Sequence, residues 1–357
     1  MKIQFPIFLG AMTALLSHPA VAQSSVSFYG VVDVGLTYLD NSGGRSRTSV
    51  DSSPSKPSRL GLRGVEDLGG GLAAIYNVEA GILVDTGMQF DATTLWSREA
   101  SVGLVSRTWG TLKMGRMPDL SYTDLGVLDG TPMIEGGMQS GYTGFGRPAG
   151  QPGPPPPVDL HYGGARYNNA IKWLGDLGHF RAGLMYALGR EDGNDKMWGA
   201  MLRYASGGFI LGAAYTRDNF TTAVFARQAL LIKTQYNTGS FTYAANYGIG
   251  KDDTSLAQNR PLELVVLYAP TERWRVGGGL GYAWARNASG QKARIEQPFV
   301  GVKYLLSQRT ELYTIAAHVK TSDPTVVPAS FGPSGGALAV SSSDAMSGLR
   351  LGMVHNF

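Results

Sequence analysis

The segment Leu349 to Phe357 alternates between apolar and polar positions. Leu349, Leu351, Met353 and Phe357 are large and apolar; Arg350, Gly352 and Asn356 between them are polar or small, and Val354 breaks the pattern. A period of two belongs to a strand with one oily face and one wet face. The stretch Phe28 to Tyr38 repeats it. Phe28, Gly30, Val32, Val34, Leu36 and Tyr38 share one side, and Tyr29, Asp33 and Thr37 the other. Long amphipathic strands near both ends of a chain can pair with each other and close a sheet. Closure removes the exposed edge, and a closed sheet is the sheet architecture that lipid tolerates.

Residues 1–22 read as an export segment and not as part of the fold. Lys2 is a positive n-region, Ile3 to Leu16 are mostly apolar, and Ala20-Val21-Ala22 is a small-x-small cleavage box. Cleavage is expected before Gln23, leaving 23–357 as one barrel domain. No later apolar run approaches the ~20 residues of a spanning helix. Cysteine is absent, so no disulfide framework stabilises the exported chain. Glycine accounts for 49 of 357 residues, which suits a helical protein poorly because each helical glycine costs roughly 1 kcal/mol. Tyrosine (17) exceeds phenylalanine (13), as expected where rings lie at a membrane–water boundary. The formal charge of +4 is small, and no basic run or Arg-rich helix points to nucleic acid.

The remaining chain reads as sixteen strands in which short and long connections alternate. Short turns fall at 66–71, 107–110, 175–178, 206–208, 238–240, 269–273 and 307–308. Longer polar connections fall at 39–57, 83–96, 116–165, 189–195, 218–226, 251–261, 286–293 and 321–347. This predicts an all-β, 16-stranded antiparallel transmembrane β-barrel, with short turns at one end and loops at the other. A lumen of that width is not filled by wall side chains, so an aqueous channel remains. Connection 116–165 is too long for an ordinary loop and contains the run Pro152-Gly153-Pro154-Pro155-Pro156-Pro157. It is expected to fold inward and narrow the channel.

Alternation also assigns the lumen. Leu60 and Leu62 on the lipid face turn Arg59 and Arg63 inward. Ala100, Val102 and Leu104 outward turn Glu99 and Ser101 inward, and Leu112 and Met114 outward turn Lys113 inward. An Arg or Lys at the lipid midplane would cost ~2–4 kcal/mol, which gives the rule its force. His161, His179, His318 and His355 have no metal-ligand spacing, and no nucleophile elbow or phosphate loop is present. No cofactor or metal is expected, and an enzyme is disfavoured. An adhesive or structural barrel and a solute-specific channel are the alternatives to a general pore.

Several segments carry a family resemblance. They are Ser25-Val26-Ser27-Phe28-Tyr29-Gly30-Val31-Val32-Asp33, the run Ser58 to Leu72 (SRLGLRGVEDLGGGL), Lys113-Met114-Gly115-Arg116, Arg166-Tyr167-Asn168-Asn169-Ala170-Ile171, and the final Phe357. The chain resembles the trimeric general porins of Neisseria- and Bordetella-type outer membranes. The resemblance implies a homotrimer in outer-membrane lipid that passes small hydrophilic solutes and ions by diffusion. It also implies a third extracellular loop folded into the lumen, and a terminal aromatic, Phe357, read as a signal by the barrel-assembly machinery. Carried over onto this chain, the basic eyelet has Arg59 by its motif and Arg98 by position, with Arg116 at the start of the inward loop; Arg63 and Lys113 join it by alternation. Simple alternation would place Arg98 on the lipid side. The facing acids are Asp119, Asp124, Asp129 and Glu135 of the long loop. A weak preference for anions follows from the inward basic cluster. The proline run departs from the family pattern.

Overall fold

The computed structural model describes residues 25–53, 55–125, 166–189, 196–220, 225–253, 256–331 and 339–357. The expected export segment, most of the long loop and its proline run lie outside the described residues. Eighteen hydrogen-bonded segments form one antiparallel sheet. They make sixteen barrel strands, because two segments are halves of one strand and the two-residue piece Met88–Gln89 is a flap on its neighbour.

In chain order the strands are β1 (Ser25–Ser42), β2 (Arg45–Ser52 continued by Arg59–Gly69), β3 (Leu72–Leu83), β4 (Glu99–Ser106), β5 (Gly110–Pro118), β6 (Arg166–Leu177), β7 (Phe180–Ala187) and β8 (Lys196–Ser206). Then come β9 (Phe209–Phe220), β10 (Phe225–Thr238), β11 (Phe241–Asp252), β12 (Gln258–Tyr268), β13 (Trp274–Arg286), β14 (Lys292–Leu305), β15 (Thr310–Thr321) and β16 (Ala345–Asn356). Each strand pairs with the next. β1 pairs with β16 from Val31↔Asn356 to Leu39↔Gly348, so the first and last strands close the barrel as their alternation requires.

The outer surface is apolar: Phe28, Leu36, Val102, Leu184, Trp198 and Leu351 are among the exposed large side chains. In a bilayer this face meets acyl chains, so its exposure is the expected state of a membrane barrel. Rings band the two ends of the strands, with Trp274 and Tyr304 centroids 4.7 Å apart at the short-turn end and Tyr282 and Trp284 4.4 Å apart at the loop end.

One expectation is revised. Connection 39–57 is not a long loop. β1 runs on to Ser42, turns at Gly43-Gly44, and returns along Arg45–Ser52. Polar residues above the bilayer lose the two-sided pattern but still pair their backbones, so the alternation ends before the strand does. The chain then leaves the ladder at residues 53–58, between partners Ser52 of Val34 and Arg59 of Val31. Pro57 lies in this detour, and proline has no N–H to give a ladder.

The detour is tied to the inward carboxylate of Asp33. The backbone N–H of Ser55 donates to Asp33 Oδ2 at 2.6 Å, and that of Lys56 donates to the same oxygen. Tyr313 Oη donates to Oδ1 at 2.8 Å. Ser53 N donates to the Asp33 carbonyl at 2.8 Å, and Asp33 N donates to Ser58 Oγ at 2.9 Å. Lys56 Nζ lies 3.4 Å and Lys303 Nζ 3.2 Å from Glu311 Oε1. Tyr313 reaches across the seam because Gly352 and Gly35 have no side chains in its path. A methyl on Gly35 would lie 2.9 Å from the Tyr313 hydroxyl, and one on Gly352 would overlap it.

Tyr313→Phe removes a donor from a buried carboxylate at the closure seam. The expected loss is about 1–3 kcal/mol. The temperature at which the barrel loses its heat-resistant gel migration should fall, and an unchanged temperature would show that the seam does not depend on this bond.

Candidate functional site

The lumen wall of β2 to β5 gathers charge by alternation and register. Arg59 stands opposite Gly81, Gly61 opposite Glu79, and Arg63 opposite Asn77. Glu79 in turn faces Glu99, and Asn77 faces Ser101. Gly61 leaves room for the Tyr29 ring to lie over its backbone. From there Tyr29 Oη, a single donor, is 2.8 Å from Asn77 Oδ1 and 2.9 Å from Glu79 Oε2. The Arg63 guanidinium sits 4.9 Å above the Tyr29 ring centroid, a cation–π contact.

Glu79 is the hub of this wall. Arg98 Nε donates to its Oε1 at 2.5 Å, and Arg59 Nε lies 3.7 Å from Oε2. Arg98 is therefore on the lumen side, against simple alternation. The cause is local: Arg98 precedes the regular part of β4, where its backbone N–H still bonds the Glu79 carbonyl at 3.0 Å. Along the same wall Lys113 pairs with Glu99, which also accepts from Ser101 Oγ at 2.6 Å. Among the described residues Glu79 meets Arg59 and Arg98, Glu99 meets Lys113, and Arg63 rests on the Tyr29 ring, so the basic side chains of this wall outnumber the acids they meet. These groups are partly wet, Arg59 at 27% and Lys113 at 19% side-chain exposure, so they act on the channel water as well as on each other.

Arg116 stands apart. It lies in register with Ala100, and its guanidinium bonds the Ser97 carbonyl at 2.8 and 3.0 Å and Asn168 Oδ1 at 2.6 Å. Nearby, the outer connection after β3 carries Asp91. Slight burial acts to raise its carboxyl. Hydrogen bonds from Thr93 and Thr94 outweigh this and hold it below the usual carboxylate range.

The start of the long loop lies inside the barrel. Asp119 caps a wide helical turn, Leu120–Asp124, and Leu125 N donates to the Leu120 carbonyl at 2.8 Å. Leu120 and Leu125 seat over the bare backbones of Gly183 on β7 and Gly212 on β9, on the face away from exposed Leu184 and Leu211. Asp119 accepts from Thr216 Oγ1 at 3.2 Å, and Asp124 pairs with Lys172 Nζ at 2.7 Å. These two acids therefore anchor the loop to β6 and β9 and do not touch the arginines of β2 to β4. Asp129 and Glu135 lie outside the described residues. Among the described residues, the acids that meet this basic wall are Glu79, at Arg59 and Arg98, and Glu99, at Lys113, and both come from the wall itself. Their inward parity is legible, but the cross-strand register that joins them to Arg98 and Lys113 is not.

A closed sixteen-stranded barrel with an apolar outside and a charged, wet inside is a transmembrane β-barrel channel. The chain matches the family model described as Gram-negative porin over residues 10–324, and it belongs to that family. It is 28% identical to outer membrane porin protein 32 of Delftia acidovorans, covering 96% of each chain. It is 25% identical to the major outer membrane protein P.IB of Neisseria meningitidis, covering 83% of this chain and 88% of that one. Among solved structures it superposes on an anion-selective porin from Comamonas acidovorans with a TM-score of 0.75 and 25% identity, over 94% of this chain and 100% of that one. The protein is an outer-membrane porin, a water-filled passive channel.

Glu79→Gln keeps an acceptor for Tyr29 and removes the charge shared by Arg59 and Arg98. The reversal potential in a salt gradient should move toward anions. No movement would mean that the Glu79 cluster is not sensed by permeating ions.

Proposed function

We propose that this porin passes small hydrophilic solutes and ions with a weak preference for anions. The observation that carries the reading is the gathering of basic side chains on one wall, where Arg59 and Arg98 both meet Glu79 and Arg63 rests on a ring. A fixed excess of one sign in a narrow, low-dielectric passage favours the opposite ion. The anion selectivity named for the Comamonas acidovorans porin supports the same sign. In this reading the long loop continues inward from its seated first turn and narrows the passage, with Asp129 and Glu135 on it as further counter-charges. Transport is passive and involves no catalysis.

The reading extends to assembly. Three copies associate through apolar outward residues of β1 and β16, with Phe28, Val32, Leu351 and Phe357 as the contact set. Phe28 is 61% exposed and Leu351 46% exposed, which leaves area for a neighbour. The Phe357 ring packs at a tilt against Phe28, centroids 5.6 Å apart, and its backbone exchanges hydrogen bonds with Gly30 at 3.1 Å. It is the residue we assign to recognition by the barrel-assembly machinery after removal of residues 1–22. Deleting it should lower the amount of folded protein in the outer membrane without changing synthesis; equal amounts would remove the assignment.

Single-channel recording in a salt gradient tests selectivity. Replacing Arg59 and Arg63 together with Ser should raise conductance and shift the reversal potential toward cations, with folding intact because neither side chain faces lipid. The native bias should fade near ~1 M salt, where the screening length is about 3 Å. If the double variant keeps the native reversal potential, the selectivity reading fails at these residues.

A further inference from the structure

The inner face of β6 to β8 carries a second charged group at its short-turn end. Leu184, Tyr186, Trp198 and Leu202 are exposed on the outer face, so Arg181 on β7 and Arg203 on β8 point into the lumen. Asp176 on β6 has the parity of Lys172, whose Nζ reaches Asp124 inside the barrel. Register sets the three in one row, with Asp176 opposite Arg181 and Arg181 opposite Arg203. Arg181 Nε donates to Asp176 Oδ1 at 2.7 Å and Nη2 donates to Oδ2 at 2.9 Å, a fork on both carboxylate oxygens. Among the described residues no carboxylate lies within ion-pair distance of Arg203. Lys113, Lys172 and Lys303, also inward, each meet one.

Two guanidiniums directly opposite on neighbouring strands repel, and the one carboxylate of the row is already forked by Arg181. Arg203 is placed by packing. Its partner on β9 is Gly212, and the space a side chain would take there belongs to Leu125 of the seated loop turn. A methyl on Gly212 would lie 2.6 Å from Leu125 Cδ1 and 3.4 Å from Arg203 Cβ. The Arg203 stem therefore lies beside the anchored start of the long loop. The group is nearer the short-turn end than the Glu79 cluster: Arg203 is three residues from the turn end of its strand, and Arg59 is ten from the turn end of its own. Arg181 and Asp176 are 43% and 66% exposed, so channel water reaches them. A solute that has passed Arg59 meets this row on its way to the short-turn mouth.

We propose that Arg203 and Arg181 form a second anion site, at the short-turn mouth, which binds a divalent tetrahedral oxyanion of the phosphate or sulfate class. Cβ atoms directly opposite in an antiparallel pair are ~5 Å apart, so both forks can reach oxygens of one such anion. Chloride has a single charge and no oxygens to match a fork, which sets the preference for the divalent species. Asp176 keeps the binding shallow. Its charge opposes the arriving anion and occupies the Arg181 fork, as suits a passage that a solute must leave as readily as it enters. The site takes its sign from the anion preference proposed above and names a class of anion, without using the Glu79 cluster.

The test is block of chloride current through the purified full chain in a planar bilayer, with sulfate or inorganic phosphate added at constant ionic strength. Either should lower the native single-channel current in a saturable way, and nitrate, with one charge, should not. Arg203→Gln should raise the half-blocking sulfate concentration by roughly fivefold or more. Asp176→Asn should lower it by about twofold or more, an opposite change that a loosened wall would not produce. Heat-resistant gel migration reports the folding of each variant. A native current that sulfate and phosphate leave unchanged overturns the proposal without recourse to any variant. So does an Arg203→Gln channel blocked at the native concentration, or an Asp176→Asn channel blocked less readily than the native one. The native reversal potential in a potassium chloride gradient is recorded in the same membranes. A cation-ward value refutes the anion preference, while the sulfate block separately decides the site.

Discussion

A sheet in lipid has nowhere to leave an unpaired backbone group, and that requirement organises this molecule. It forces the ladder between β1 and β16, and with it an even ring of antiparallel strands. It also forces every departure from the ladder to be satisfied from within the protein. The detour at 53–58 shows how. Asp33 accepts backbone N–H groups that the detour has removed from strand pairing, and Tyr313 holds the same carboxylate from the far side of the seam. The tie binds β1, β2 and β15 where the sheet closes on itself.

The channel wall obeys the same geometry on its inner face. Alternation sends one residue in two toward water, so a charge on the correct parity costs little and its neighbour must be apolar. Register then decides which charges meet. Glu79 serves both Arg98 and Arg59 because β3 runs between β2 and β4, and Tyr29 fills the space that Gly61 leaves. The result is a field from one wall, held in place by hydrogen bonds between neighbouring strands.

Much of this was legible in the chain. The period of two at both ends, the glycine-rich turns and the inward parity of Arg59, Arg63 and Lys113 all appear in the structure as read. What was not legible depends on contacts between strands distant in sequence. Arg98 looked lipid-facing because alternation presumes a regular strand, and the strand begins one residue later. Asp119 and Asp124 carried the right charge for an eyelet, but Thr216 and Lys172, far along the chain, bind them instead. The extension of β1 to Ser42 was hidden for a different reason: above the bilayer, backbone pairing continues after the apolar pattern has ended.

The detour at 53–58 also bears on how such a protein can vary. Barrel girth is set by strand number and changes in large steps, two strands at a time. A short excursion of chain hung from the inner wall changes the free cross-section by the width of a few residues. Because its backbone is anchored to a carboxylate on a neighbouring strand, it adds bulk without adding an edge or a hinge. Bore and girth thus become separate variables, and the first can drift through small insertions while the lipid-facing shell stays the same.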